Sequence, residues 1–156
     1  MGTPALLVLQ QAQVAFEAHE FDADPTDRHY GQAAATAIGA EAARVYKTLI
    51  AIVDGKPFCA IVPVDRQLAL KSLAAAVGGK RAEMCAPAAA ERMTGYVVGG
   101  ISPFGQKRRL ATVIDESSSD FATIFVSGGR RGLDVELAPR DLVSLLSAAV
   151  APIATG

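Results

Sequence analysis

Tryptophan is absent and aromatic residues make up only 6% of the 156-residue chain, so its core must be built mainly from Ala, Val, Leu and Ile. Charge of either sign is not in excess, with 15 Lys and Arg against 16 Asp and Glu and a formal net charge of −1. That balance excludes a global basic field for recruiting nucleic acid and leaves polyanion binding to local patches. Histidine and cysteine are scarce, with two of each. His19 and His29 fall in no HExxH-type spacing, and Cys59 and Cys85 form no CxxC pair or disulfide framework. The sequence therefore predicts no metal site and no cofactor. Every apolar run is shorter than the ~20 residues that a membrane span requires. A basic segment followed by a long apolar stretch is also missing at the amino terminus, so a cytoplasmic protein without a signal peptide is expected. GxxxxGK[ST] does not occur, and "GGRRG" has the wrong spacing for a dinucleotide fingerprint.

What is present is globular in composition, 51% apolar and 20% charged, and long enough for one domain spanning residues 1–156. "TPALLVLQQAQVAFEAHEF" reads as an amphipathic helix with Thr3 as N-cap and Pro4 at its first position, ending near His19. A polar loop "DADPTDRHYG" follows, then "QAAATAIGAEAARV" as a short helix with Gly39 near its end and one further helical turn. "VYKTLIAIVDGKPFCAIVPV" predicts two buried strands joined by a tight turn at Asp54-Gly55. Helices are expected over "DRQLALKSLAAAVGG" and "PAAAERMTG", the latter stopped by Gly95. Strands are expected in "LATVIDES", "FATIFVSGG" and "RRGLDVEL", and a last amphipathic helix over "APRDLVSLLSAAVAPI". Helices and strands interleave without a regular βαβ period, which predicts a mixed α/β (α+β) domain with a mixed sheet.

The stretch "GYVVGGISPFGQKRR" combines backbone freedom with positive charge, and nothing local to it explains it as core packing. "VVGGISPFG" and "VSGGRRGLDVEL" each set Gly-Gly after a β-rich run, where glycine permits positive φ and close approach of a ligand to exposed amides. Turn geometry alone would explain either, whereas the two together, each followed by basic residues, favour a ligand site. Lys47 is either a strand-edge residue whose stem snorkels to water or a cation for a phosphate or carbonyl. Asp134 either points to solvent or receives an amine. Cys59 reads as a buried hydrophobe, Cys85 as a residue preceding a helix, and Ser102 as part of a Ser-Pro turn without the GxSxG context.

Three segments in order, "RVYKTLIAIV", "MTGYVVGGISPFGQKRRLATVIDES" and "FATIFVSGGRRGLDVEL", resemble the YbaK/EbsC family, in particular its cysteinyl-tRNA(Pro) deacylase branch. The similarity extends to the opening and closing helices and so over essentially the entire chain. It implies a strongly curved mixed β-sheet surrounded by helices, as in the editing domain of bacterial prolyl-tRNA synthetase. It also implies removal of a wrong amino acid from tRNA. On this resemblance Lys47, Gly99 with the adjacent Gly100, and Asp134 correspond to the family's catalytic positions. Substrate contacts fall to Phe21, Tyr30, Thr48 and Ile101, and to Ser102, Ser127, Gly128 and Gly129. The basic residues Lys107, Arg108, Arg109, Arg130 and Arg131 would meet tRNA. Phe21 stands where relatives commonly carry a tyrosine, and Ala23 where they often carry a histidine, so only ring packing is expected of Phe21.

The resembling deacylases need no protein nucleophile, because the substrate cysteine's thiol attacks its own ester and leaves as a thiolactone. Implied partners are Cys-tRNA(Pro) and prolyl-tRNA synthetase. Two alternatives stay open: a deacylase for another small amino acid such as alanine using water, and a module that binds aminoacyl-tRNA or a synthetase without turnover.

Overall fold

The computed structural model describes residues 2–24 and 26–155. Helix α1 (Pro4–Ala12) begins where Thr3 and Pro4 predict, with the Thr3 hydroxyl accepting the Leu6 N–H at 3.2 Å. The same hydroxyl donates to the Gly128 carbonyl at 2.6 Å and ties the helix start to a distant strand. The helix does not reach His19. Gln13 takes a left-handed conformation at φ 57°, and Phe16–Glu20 forms strand β1. β1 pairs antiparallel with β7 (Leu133–Leu137), which supplies a long-range partner that outweighs local helical periodicity.

Helix α2 (Tyr30–Ile38) ends at Gly39, φ 82°, and a 3₁₀ turn over Ala42–Arg44 leads into strand β2 (Tyr46–Val53). Asp54 and Gly55, at φ 49° and 83°, make the expected tight turn into β3 (Lys56–Pro63). Helix α3 (Leu70–Ala76) precedes β4 (Ala82–Met84), a three-residue strand too short to carry a sequence signal. Helix α4 (Pro87–Thr94) closes at Gly95, and β5 (Ala111–Asp115) follows the glycine-rich loop. β6 (Ile124–Arg130) runs through Gly128-Gly129 with a bulge, so the chain turns at Arg131-Gly132 rather than at the glycine pair. The closing helix α5 (Pro139–Leu146) is shorter than expected: Ser147 is left-handed, and Ala149–Ala151 forms strand β8 beside β5.

The class is the mixed α+β one expected. The strands form two sheets, one in the order β1-β7-β6 and one in the order β4-β2-β3-β5-β8. β3, β5 and β8 run parallel, while the other neighbours are antiparallel. Among the described residues, an isolated parallel bridge between Val45 and Phe125 joins the sheets. Leu9, Ile61, Phe104, Ile114, Ile124 and Leu142 belong to the main core, and Leu73 of α3 caps a second cluster. Ala35, Val45, Val64 and Phe125 pin α2 near the bridge. No helix among the described residues is long and apolar enough to cross a membrane.

The loop from Gly95 to Arg109 is core-packed after all. Tyr96, Ile101 and Phe104 are at most 6% exposed, and the Tyr96 hydroxyl donates to the Phe104 carbonyl at 2.6 Å. The Ser102 hydroxyl accepts the Phe104 N–H at 3.2 Å, and its carbonyl accepts from Gln106 at 3.1 Å. Val97 and Val98 form no strand and lie exposed.

Candidate active site

β4 pairs only with Ala51–Val53, so the outer edge of β2 from Tyr46 to Ile50 is left without a strand beside it. Past the Val45–Phe125 bridge, β2 and β6 form no further ladder, and a cavity of about 400 Å³ opens there. Six consecutive residues, Val45 to Ile50, line it, as happens when a strand's edge rather than its face borders a space. The Ile50 carbonyl accepts the Cys85 N–H at 3.0 Å on this edge. By the two-residue alternation of peptide direction, the Thr48 peptide group faces the same side. Other walls come from the start of α2, from β6 and β7, from the Val98–Ile101 loop and from the β4–α4 connection.

Seven of the expected residues meet here: Tyr30, Lys47, Thr48, Gly99, Ile101, Ser127 and Asp134. Lys47 makes no hydrogen bond or ion pair among the described residues, and its burial lowers its pKa against the opposing pull of Asp65. Asp134 is only 7% exposed; burial pushes its carboxyl up to about 7, opposed by His19 across the strand pair. The Tyr30 hydroxyl accepts the Gly132 N–H at 2.8 Å, and burial raises its pKa. Ser127, which pairs with Asp134 in the ladder, accepts the Gly129 N–H at 3.2 Å. Thr48 Oγ1 is the one buried side-chain oxygen or nitrogen among the described residues without a hydrogen-bond partner.

Other expected residues serve packing. A Cβ at Gly100 would lie 2.8 Å from the backbone of Arg130 and Arg131, so the two glycine segments pack on each other. The Gly100 N–H is taken by the Val97 carbonyl at 2.8 Å. At Gly128 a Cβ would meet Leu133, and at Gly129 Thr3 and Tyr96. Ser102 is fully buried with its hydroxyl engaged in its own turn. Phe21 stands outside the cavity lining, with its ring centroid 6.4 Å from that of Tyr30. Gly100→Ala is expected to destabilise the fold by about 1–3 kcal/mol in chemical denaturation, because backbone cannot move aside as a side chain can.

The basic residues divide. Lys107, Arg108 and Arg109 are exposed, and the first two border a separate open hollow with Arg92. Arg130 pairs with Glu20 at 2.7 Å, and Arg131 donates to the Val98 carbonyl at 3.0 and 2.7 Å, bracing the loop that carries Gly99.

Neither cysteine is an activated nucleophile: burial lifts Cys59 to about 11 and raises Cys85. Cys85 does line the cavity, as do Arg28, His29, Gln32, Gln67 and Met84, none of which the sequence singled out for this site. Arg28, His29 and Gln32 flank Tyr30, so a start of α2 facing the site was the signal available for them. Met84 and Cys85 depend on the unpredicted β4. His19 lies with Glu17 and Glu136 in a charged cluster that its sequence spacing did not suggest. Glu136 is already engaged there by Thr123 at 2.6 Å and Arg44 at 3.4 Å.

Residues 27–145 match the aminoacyl-tRNA editing domain family. EbsC of Enterococcus faecalis, named as a proposed Cys-tRNA(Pro)/Cys-tRNA(Cys) deacylase, is 36% identical over 98% of this chain and 93% of its own. The multifunctional Ser/Thr-tRNA deacylase ProXp-y of Escherichia coli is 41% identical over a shorter segment, 36% of this chain and 34% of its own. A crystal structure assigned to a proposed trans-editing enzyme for prolyl tRNA synthetase superposes with a TM-score of 0.86 at 23% identity, covering 100% of this chain and 99% of its own. The chain belongs to the aminoacyl-tRNA editing domain family.

Proposed function

We propose that the protein is a trans-editing deacylase that removes cysteine from tRNA(Pro), with the substrate's own thiol as nucleophile. The observation that supports this reading is the cavity's content: a cation with no partner among the described residues and a buried acid, with a Cys85 thiol whose pKa is raised rather than lowered. Catalysis in such a site rests on positioning and charge. The substrate sulfur attacks the ester carbonyl carbon and forms a C–S bond. The C–O bond to the ribose then breaks, its oxygen takes the proton lost by the thiol, and a four-membered thiolactone departs. Near-attack positioning supplies on the order of 7–11 kcal/mol, and one oxyanion donor about 3–4 kcal/mol more.

Asp134 would receive the α-amino group, and Lys47 would hold the terminal adenosine through its phosphate. The Gly99 N–H, which has no acceptor among the described residues, is the candidate oxyanion donor in place of Gly100. Lys107, Arg108 and Arg109 would meet acceptor-stem phosphates, giving affinity that falls as salt rises. Prolyl-tRNA synthetase is the partner that would supply tRNA selection, since the near-neutral chain offers little of its own.

A second reading has a specific basis. The relatives' names divide between cysteine and serine or threonine, so water could replace the thiol as nucleophile on a similar scaffold. Single-turnover deacylation of Cys-, Ser- and Ala-tRNA(Pro) separates the two. Loss of the cysteine ester alone, at least ~100-fold faster than the near-isosteric serine ester, is the expected result. Comparable loss of cysteine and serine esters would establish water as the attacking group, and retention of all three esters would favour a binding module.

A further inference from the structure

We infer that the hollow between α4 and the Lys107-Arg108 segment binds the phosphate backbone of the tRNA 3′ strand, a few nucleotides upstream of the aminoacylated one, with Arg92 among its contacts. This inference rests on the aminoacyl-tRNA reading of the cavity and holds whether thiol or water attacks. Arg92, Lys107 and Arg108 are all exposed and line the hollow together with Ala89 and Met93. None of the three cations is ion-paired among the described residues, and no acidic residue lines the hollow. Glu91, the acidic residue of α4, has its carboxylate taken by the Val98 N–H at 2.8 Å.

Backbone geometry fixes the cluster. The last carbonyls of a helix lack partners within it, and here the following chain meets two of them. The Lys107 N–H donates to the Thr94 carbonyl at 2.9 Å, and the Arg108 N–H to the Met93 carbonyl at 3.0 Å. These bonds hold two cations against the helical turn that carries Arg92. Like charges so placed repel one another, and a polyanion relieves that repulsion while the guanidinium groups match phosphate oxygens. Ala89 and Met93 add apolar surface between the cations, which a ribose covers and an isolated phosphate does not.

The place of the hollow says which part of tRNA it meets. Pro87 and Ala90 of α4 line the cavity, whereas Ala89, Arg92 and Met93 line the hollow, so one helix forms the wall between the two. The Cys85 thiol of the cavity, raised by burial, is drawn back by the Arg92 charge, as this proximity requires. A helix is about 10 Å across, and a stacked strand advances ~3.4 Å per nucleotide. A strand leaving the cavity over α4 therefore reaches the hollow within about three nucleotides, before the 5′ strand of the stem comes into range. Arg130 and Arg131 are already engaged, by Glu20 and by the Val98 carbonyl.

The probe is an uncharged RNA microhelix with the acceptor end of tRNA(Pro), titrated with the whole protein over a range of salt. Arg92→Met keeps an aliphatic side chain at an exposed site and is expected to unfold at the wild-type temperature. It should weaken binding at least ~3-fold at low salt and reduce the slope of log K against log salt by about 0.7, and Lys107→Met should behave alike. Neutral methylphosphonate linkages are then introduced singly along both RNA strands. With wild type, a 3′-strand linkage near the terminal nucleotide is expected to weaken binding by a similar factor, and that effect should disappear in Arg92→Met. Coupling to 5′-strand linkages alone, or to none, would overturn the inference with the tRNA reading intact. Unchanged affinity and slope in both variants would give the hollow to another partner, such as an acidic protein segment, and overturn it as well. Absence of salt-dependent binding by wild type would defeat the aminoacyl-tRNA reading itself, and this inference with it.

Discussion

Lys47→Met is expected to slow single-turnover deacylation at least ~100-fold while leaving the unfolding temperature equal or higher. Methionine keeps the apolar stem, so β2 packing survives and only the charge is lost. The ammonium has no hydrogen-bonded or ion-paired partner among the described residues, and its pKa is lowered chiefly by burial. A lysine pKa lowered on folding means that the charged form is less favourable in the folded chain than in the unfolded one. That cost is in force at neutral pH, so removing the charge does not weaken the fold. Activity should behave oppositely, because a half-buried cation holds the phosphate of the terminal adenosine more strongly than one in bulk water does. Lys47→Arg is expected to restore only part of the rate, since the planar guanidinium cannot occupy the place of a compact ammonium. A Lys47→Met enzyme that deacylates at the wild-type rate would remove Lys47 from the mechanism.

Elements whose cause is local were legible in the sequence. Asp54-Gly55 had to turn the chain because both residues tolerate positive φ, and Thr3-Pro4 had to start a helix because one caps and the other fits the first turn. Elements whose cause is distant were not. Phe16–Glu20 is a strand because β7 offers an edge more than a hundred residues away, and Ala149–Ala151 is one because β5 does. The glycine pairs show the same division within the site. Their spacing announced close approach, but what approaches Gly100 is the backbone of Arg130-Arg131, so the two motifs build one another rather than each facing a ligand. The resemblance brought Lys47, Gly99 and Asp134 to one cavity, while the orphaned state of Thr48 is a property of its surroundings that no local pattern carries.

Asp134→Asn is expected to abolish most activity and yet stabilise the protein as pH rises. In the unfolded chain this carboxyl ionises near 4, whereas in the fold burial delays ionisation to about 7. Below about pH 4 the group is protonated in both states and costs nothing electrostatically. Between those values the unfolded state sheds its proton first, so wild-type stability falls, and above about 7 the loss is complete. A shift of that size corresponds to roughly 4 kcal/mol, approached because Asp134 is only 7% exposed. The asparagine amide brings its own unmet hydrogen bonds, but that penalty does not vary with pH. The variant's stability relative to wild type is therefore expected to rise by up to roughly 4 kcal/mol between pH 4 and pH 8 in paired denaturation curves. Catalysis should follow the opposite course, with the wild-type rate climbing through pH 7 as the carboxylate forms to hold the α-amine, and the variant lacking that limb. A stability difference that stays flat with pH would show that Asp134 ionises as freely in the fold as in the unfolded chain. Its burial would then have no bearing on how the amine is held.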